Sequence, residues 1–107
     1  MNFSKYEGTA QIWPTGNAFT SGVFDVPVYG GWPEKPYDVL GIVQFGNANV
    51  DWNRGDMQLA ARKAKEAGGD ALIVVPKGKD PSPTMAEARR TLGVADTRTY
   101  GIVVKWR

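Results

Sequence analysis

Apolar residues along this chain follow two different periods, and the switch between them outlines the fold. Residues 38–45 (Asp-Val-Leu-Gly-Ile-Val-Gln-Phe) are nearly all apolar, the pattern of a strand covered on both faces. From 55 to 67 the period becomes helical. Met57, Ala60, Ala61, Ala64 and Ala67 share one stripe, while Gln58, Arg62, Lys65 and Glu66 lie opposite. Gly68 and Gly69 stop this helix, because glycine enters the left-handed conformation without a Cβ penalty. A second apolar strand, 71–76, follows after a short turn that includes Asp70. Strand, helix and strand so arranged predict a βαβ unit, with the right-handed crossover that about 98 % of such units adopt. The stripe is mostly alanine, so the helix can lie close to its sheet. Gly41, with no side chain, suits the close approach of a helix or a neighbouring backbone.

The flanking segments carry weaker signals. Residues 7–13 have some strand character and stop at Pro14, and 15–17 (Thr-Gly-Asn) read as a turn. In 22–29, Phe24, Val26 and Val28 share one face, and Pro27 places the strand at an edge or a bulge. Glycines and prolines make 30–36 a loop, and 77–83 reads as an exposed one. Thr84 and Glu87 have the spacing of a capping box, predicting a short helix over 84–92 that ends at Gly93. In 100–106, Ile102, Val104 and Trp106 alternate with Val103 and Lys105, which predicts one buried and one wet face. The expected fold is a single α/β (α+β) domain over 1–107. Its sheet has about five strands and holds one right-handed βαβ unit, with one main helix packed on it and a short second helix; residues 1–21 supply an N-terminal strand and turn.

Composition mostly removes chemistries. The chain has no cysteine and no histidine. Disulfides, thiolate nucleophiles, iron–sulfur clusters, most zinc sites and the usual neutral-pH general base go with them. Thirteen basic and eleven acidic residues are interleaved along the chain, with no basic stripe of the kind that binds nucleic acid. No apolar run approaches the roughly 20 residues of a membrane span. A true start at Met1 predicts a cytoplasmic protein; a removed leader would place it in the envelope or outside the cell.

Several short patterns invite a functional reading. Asn47, Asn49, Asp51, Asn53 and Asp56 form an oxygen-rich run, of which Asn49, Asp51 and Asn53 make the best calcium candidates. Counted from Asn49, the sixth position is Arg54 rather than glycine and the twelfth is Ala60 rather than glutamate. A turn with an N-cap at Asp51 or Asn53, and Asp56 in the positive first turn, explains the same residues. Arg54-Gly55-Asp56 spells the adhesion tripeptide, and Lys77-Gly78-Lys79 follows a strand in the manner of a phosphate loop, without the glycine pattern of one. Asp25, Glu34, Asp38, Asp51, Asp56 and Asp70 offer carboxylates, but no pair has a catalytic spacing. The aromatic loop is the strongest candidate surface. Tyr29, Trp32 and Tyr37 lie among Gly30, Gly31, Pro33 and Pro36, a combination suited to a ligand pocket or a protein interface, and Trp52 is a possible fourth member. The competing reading has Trp32 roofing the core.

The run Ala64-x-x-x-Gly68-Gly69-Asp70-Ala71-Leu72-Ile73-Val74, preceded by Val39-Leu40-Gly41-Ile42-Val43, resembles the YbjQ-like family, described as heavy-metal-binding, and the related RcsF-type envelope sensor domain. The resemblance covers about residues 23–76 and implies a compact α/β fold, a tendency to form rings and no established catalytic residues. Metal binding does not carry over to a chain without cysteine or histidine, and neither do the disulfides of the sensor branch. Segment 77–99 departs from both patterns. The expectation is a non-enzymatic, self-associating domain without a cofactor that binds a small ligand or a protein, or serves as a scaffold. The alternatives are an extracytoplasmic sensor or lipoprotein module and, more remotely, a carboxylate-based enzyme.

Overall fold

The computed structural model describes residues 1–45, 51–78, 82–95 and 98–107. Among them run β1 (Asn2–Lys5), β2 (Thr20–Val23), β3 (Pro27–Tyr29), β4 (Tyr37–Gln44), α1 (Arg54–Glu66), β5 (Ala71–Val75), α2 (Pro83–Leu92) and β6 (Tyr100–Trp106). The strands form one mixed sheet in the order β1-β4-β6-β5-β3-β2. The α+β class is as expected, with six strands where about five were read.

Strands β4 and β5 each pair antiparallel with β6, so they run parallel to one another with β6 between them. The βαβ unit is therefore split: the last strand of the chain fills the gap that α1 bridges. This overturns the expected wet face of β6. Tyr100, Ile102 and Val104 turn to one core cluster and Val103 to the other, and within the strand only Lys105 is exposed. That lysine marks where the strand leaves the layers, not a solvated side.

The two faces are covered in different ways. On one, α1 packs Ala60, Ala61 and Ala64, all fully buried, against Val28, Val43, Leu72, Val74 and Val103. Its start is a capping box: Asn53 Oδ1 accepts from the Asp56 amide, and Asp56 Oδ2 accepts from the Asn53 amide, both at 2.9 Å. Its stop uses Gly68 at φ +87°. On the other face α2 stands further off the sheet than α1. Larger side chains fill the gap, among them Trp13, Tyr37, Met85 and Tyr100. A register shift in β4 between Val39 and Gly41 lets Val39 and Ile42, three residues apart, serve this same cluster.

Three local readings are corrected. The N-terminal strand is residues 2–5, not 7–13; the latter are irregular because the buried Trp13 and the Tyr6 ring, edge to face at 5.3 Å, fold the segment on itself. The single strand read at 22–29 is a tight hairpin of β2 and β3, with Val23 opposite Pro27. Phe24, Val26 and Val28 do turn to one cluster. Pro27, at the first position of β3, is not on an edge strand, since β3 lies between β2 and β5. Helix α2 begins one residue earlier than read, capped by Ser82, whose Oγ accepts from the Met85 amide at 3.2 Å, with Pro83 preset for the first turn. The Thr84–Glu87 capping box does not form: Thr84 Oγ1 accepts from Trp32 Nε1, and Glu87 pairs with Arg90 at 2.7 Å. The helix does end at Gly93, at φ +71°.

The α2 layer is pegged by a residue that the hydrophobic pattern hides. Arg89 is 1 % exposed. Its guanidinium donates to the carbonyls of Pro76 (3.0 Å), Ala95 (2.7 Å) and Arg98 (2.9 Å) and lies over the Tyr100 ring at 5.0 Å. One cation thus satisfies backbone oxygens from the segments on both sides of α2. Arg89→Met is expected to lower stability by about 3 kcal/mol, because the three carbonyls lose their donor inside the protein; urea unfolding measures this.

Gly101 in β6 has an equally specific reason. A Cβ there would meet Leu72 Cδ1 at 2.7 Å, Val43 Cγ2 at 3.0 Å and Trp52 Cη2 at 3.2 Å. Gly101→Val should therefore cost about 3 kcal/mol or more through overpacking, and Gly101→Ala about 1–2 kcal/mol. Thermal unfolding followed by circular dichroism distinguishes the two.

Candidate functional site

The stand-off of α2 leaves grooves on its face of the sheet. One, about 280 Å³, lies beside Thr91 and Leu92 and is lined by Lys5 and Glu7; two others meet at Trp32 and Thr84. Of these two, the first, about 290 Å³, runs between Ile12 and Pro14 on one bank and Ala88 and Thr91 on the other, with the buried Trp13 beneath. The second, about 300 Å³, lies between Gly16–Ala18 and the Gly30–Gly31 turn, closed by Trp32, Ser82 and Met85. They adjoin at one hydrogen bond, Trp32 Nε1 to Thr84 Oγ1 at 3.0 Å, since Thr84 lines the first groove and Trp32 the second. Ser82 Oγ lies 2.9 Å from Thr84 Oγ1 and joins the same network.

The segment that forms the outer bank is held by its backbone. The Tyr37 hydroxyl donates to the Pro14 carbonyl at 2.7 Å. The Arg107 guanidinium donates to the Gln11 carbonyl and pairs with Asp38. The amides of Gly16 and Ala18 bond to the carbonyls of Pro33 (2.9 Å) and Trp32 (3.0 Å), which ties the bank directly to the aromatic loop.

The four aromatic candidates therefore separate. Trp32 is half-buried, with its ring packed against the core and one side on the second groove. Tyr29 is half-buried and stands edge-on to Trp106 at 5.9 Å; Lys35 lies over that Trp106 ring at 5.0 Å. Tyr37 is 2 % exposed and acts as a strut under the bank, not as a contact surface. Trp52 is on the opposite face, 8 % exposed, edge to face with Phe45 and seated over Gly101. It belongs to the α1 core because the missing side chain at Gly101 opens a slot for its indole.

The remaining candidates are placed as follows. Asn53 is occupied as the α1 cap and Asp51 is exposed, while Asn47 and Asn49 lie outside the described residues. No group of three acidic, cysteine or histidine side chains gathers among the described residues. Arg54 and Asp56 sit in the first turn of α1, with Arg54 over the Phe24 ring at 5.3 Å. Lys77 donates its amide to Thr99, and Lys79 lies outside the described residues. Among the acids, Asp25 pairs with Arg62, Asp38 with Arg107, Asp70 with Lys105 and Asp56 with its own helix cap.

The groove residues that the aromatic pattern does not reveal come from 10–18 and from α2. A usable signal lies in the charges: none of the residues from Gly8 to Phe24 is charged, in a chain where 22 % are. The two grooves that meet at Trp32 share this scarcity of charge. Glu87 is the one charged residue lining them among the described residues, and its carboxylate is paired with Arg90. No protein-family model, curated protein or solved structure matches the chain.

Burial holds the Tyr37 phenol well above the ordinary tyrosine range. The unfolded chain ionises first, near pH 10, so the stability from neutral Tyr37 is complete below about pH 10 and declines as pH rises beyond it. Tyr37→Phe should lessen that alkaline decline, seen in melts across pH 9–11, and lower stability near neutrality by about 1 kcal/mol, because the Pro14 carbonyl loses its donor.

Proposed function

We propose that this chain is a non-enzymatic, self-associating binding domain that takes an uncharged ligand, a small molecule or a stretch of polypeptide, in the paired grooves around Trp32 and Thr84. The observation that carries this reading is the half-buried Trp32, fixed by Thr84 at the junction of two grooves that no cation lines among the described residues. Together the grooves are in the size range of ligand sites, about 300–1,000 Å³. An indole that lines a groove supplies apolar area at little entropic cost. Asn17, Ser82, Thr84 and Thr91 add hydrogen-bonding groups without charge. A phosphate or a carboxylate would find no cation among the described lining residues. The engagement of Asp25, Asp38, Asp56 and Asp70 in ion pairs and a cap favours binding over carboxylate catalysis. The resemblance to the YbjQ-like family supports the same choice, since it implies no catalytic residues.

Indole fluorescence tests the site. A library of neutral small molecules and short uncharged peptides should contain compounds that shift the emission of the native protein and leave that of Trp32→Phe unchanged. Hits that quench both proteins equally, or no hit at all, would overturn the groove assignment. Thr84→Val, which removes the acceptor for the indole N–H, should weaken the binding of any hit at least fivefold.

A further inference from the structure

The three grooves named above are not separate. Thr91 lines both the groove over Trp13 and the one beside Lys5, and the Trp32–Thr84 hydrogen bond joins the former to the groove at Trp32. Thr84, Glu87, Ala88 and Thr91 are spaced three and four apart, so they share one face of α2. The opposite bank runs antiparallel to that helix. Lining residues within 16–18 lie at its start, those within 10–14 along its middle and those within 4–8 at its end. The result is one furrow beside the whole helix, about 15 Å long from Ser82 to Leu92. Its lining repeats. Each groove has one aromatic ring and at least one side-chain hydroxyl: Trp32 with Ser82, Trp13 with Thr84, Tyr6 with Ser4.

We propose that this furrow binds a neutral oligosaccharide, with one sugar unit in each groove. The proposal rests on the uncharged-ligand reading above and names the chemical class and length of that ligand. A pyranose ring has a face of C–H bonds and a rim of hydroxyls. Its C–H bonds are drawn to the negative face of an aromatic ring. Its hydroxyls exchange hydrogen bonds with serine and threonine, which both donate and accept. A furrow that repeats ring and hydroxyl from groove to groove matches a chain that repeats the same two features from unit to unit. Charge agrees with this. Glu87 is already paired with Arg90, and Lys5 and Glu7 close the far end with opposite signs, so nothing there selects an ion.

The backbone disfavours a polypeptide. Strand addition needs an extended row of free amides and carbonyls, and neither bank has one. One bank is a helix, bonded within itself. The other is irregular beyond β1, and the amides of Tyr6, Ala10, Gly16 and Ala18 are taken by partners inside the fold. The Gln11 and Pro14 carbonyls are taken by Arg107 and Tyr37. Recognition is thus left to side chains, and a wholly apolar ligand would leave their hydroxyls without partners.

Isothermal titration calorimetry on the full chain with cellotriose, maltotriose, laminaritriose and tri-N-acetylchitotriose tests this. At least one trisaccharide should bind at least tenfold more tightly than its own monosaccharide, because a single ring fills only one groove. In heteronuclear NMR spectra the same trisaccharide should move the amide signals of Trp32, Thr91 and Tyr6, one from each groove, which depends on no variant. Thr91→Trp, at an exposed position of α2, should obstruct the joint between two grooves. It should weaken the trisaccharide at least tenfold and leave the melting curve unchanged. Equal affinities for one unit and three, shifts confined to one groove, or full affinity in Thr91→Trp would overturn the continuous furrow. Trisaccharides that fail to bind even at millimolar concentration, while other neutral compounds shift Trp32 emission, would overturn the sugar assignment and leave the groove reading standing. Silence in both the titrations and the Trp32 fluorescence would overturn both.

Discussion

The structure depends on the placement of β6. It is the last strand of the chain, yet it lies between β4 and β5 and makes the ladder on both sides. A strand buried along both edges and both faces leaves no backbone group for water, so two separate layers must cover it. Everything else follows from how each layer meets that demand. The α1 layer meets it by closeness: three alanines and the vacant side chain of Gly101 let helix, sheet and the Trp52 indole fit without a gap. The α2 layer meets it by bulk. Trp13, Tyr37, Met85 and Tyr100 fill a wider space, and they fill it incompletely at the margins.

That difference explains where a binding surface can be. A helix seated on alanines leaves only a smaller hollow by Phe3, Lys63 and Glu66, whereas a layer held off by large rings leaves clefts along its rim. The grooves therefore lie on the α2 face, bounded by a segment, 10–18, that has no regular structure of its own. Its order comes from anchors along its length: the Tyr6 and Tyr37 hydroxyls, the Arg107 guanidinium and the backbone bonds to Trp32 and Pro33. On the inner side Arg89 does the corresponding work for the loops that flank α2. A guanidinium suits this place because its fork of donors can serve several carbonyls at once, which a hydrocarbon cannot do.

The same sparing use of charge shapes the exterior. Exposed ion pairs such as Arg90–Glu87 each contribute at most about 1 kcal/mol, so they do little to hold the fold. Their distribution says more than their energy. Charge is spread over α1, α2 and the C-terminal strand and withheld from Gly8 to Phe24, where the outer groove bank and the β2 edge both lie.

By itself the sequence determined the elements whose causes are local. The apolar run of β4, the alanine stripe of α1, its cap at Asp51 or Asn53 (the structure uses Asn53) and the glycine stops at 68 and 93 were all legible, because period, capping and φ are settled within a few residues. The spacing around the aromatic loop was legible too, though not its fate. Only the tertiary structure decided that β6 enters between β4 and β5, that Tyr37 becomes a strut while Trp52 goes to the opposite core, and that Thr84 serves Trp32 in place of its own helix. Each of those outcomes depends on partners tens of residues away. Residues of the same type compete for them on nearly equal local terms, so strand order and layer spacing, which no short window contains, make the choice.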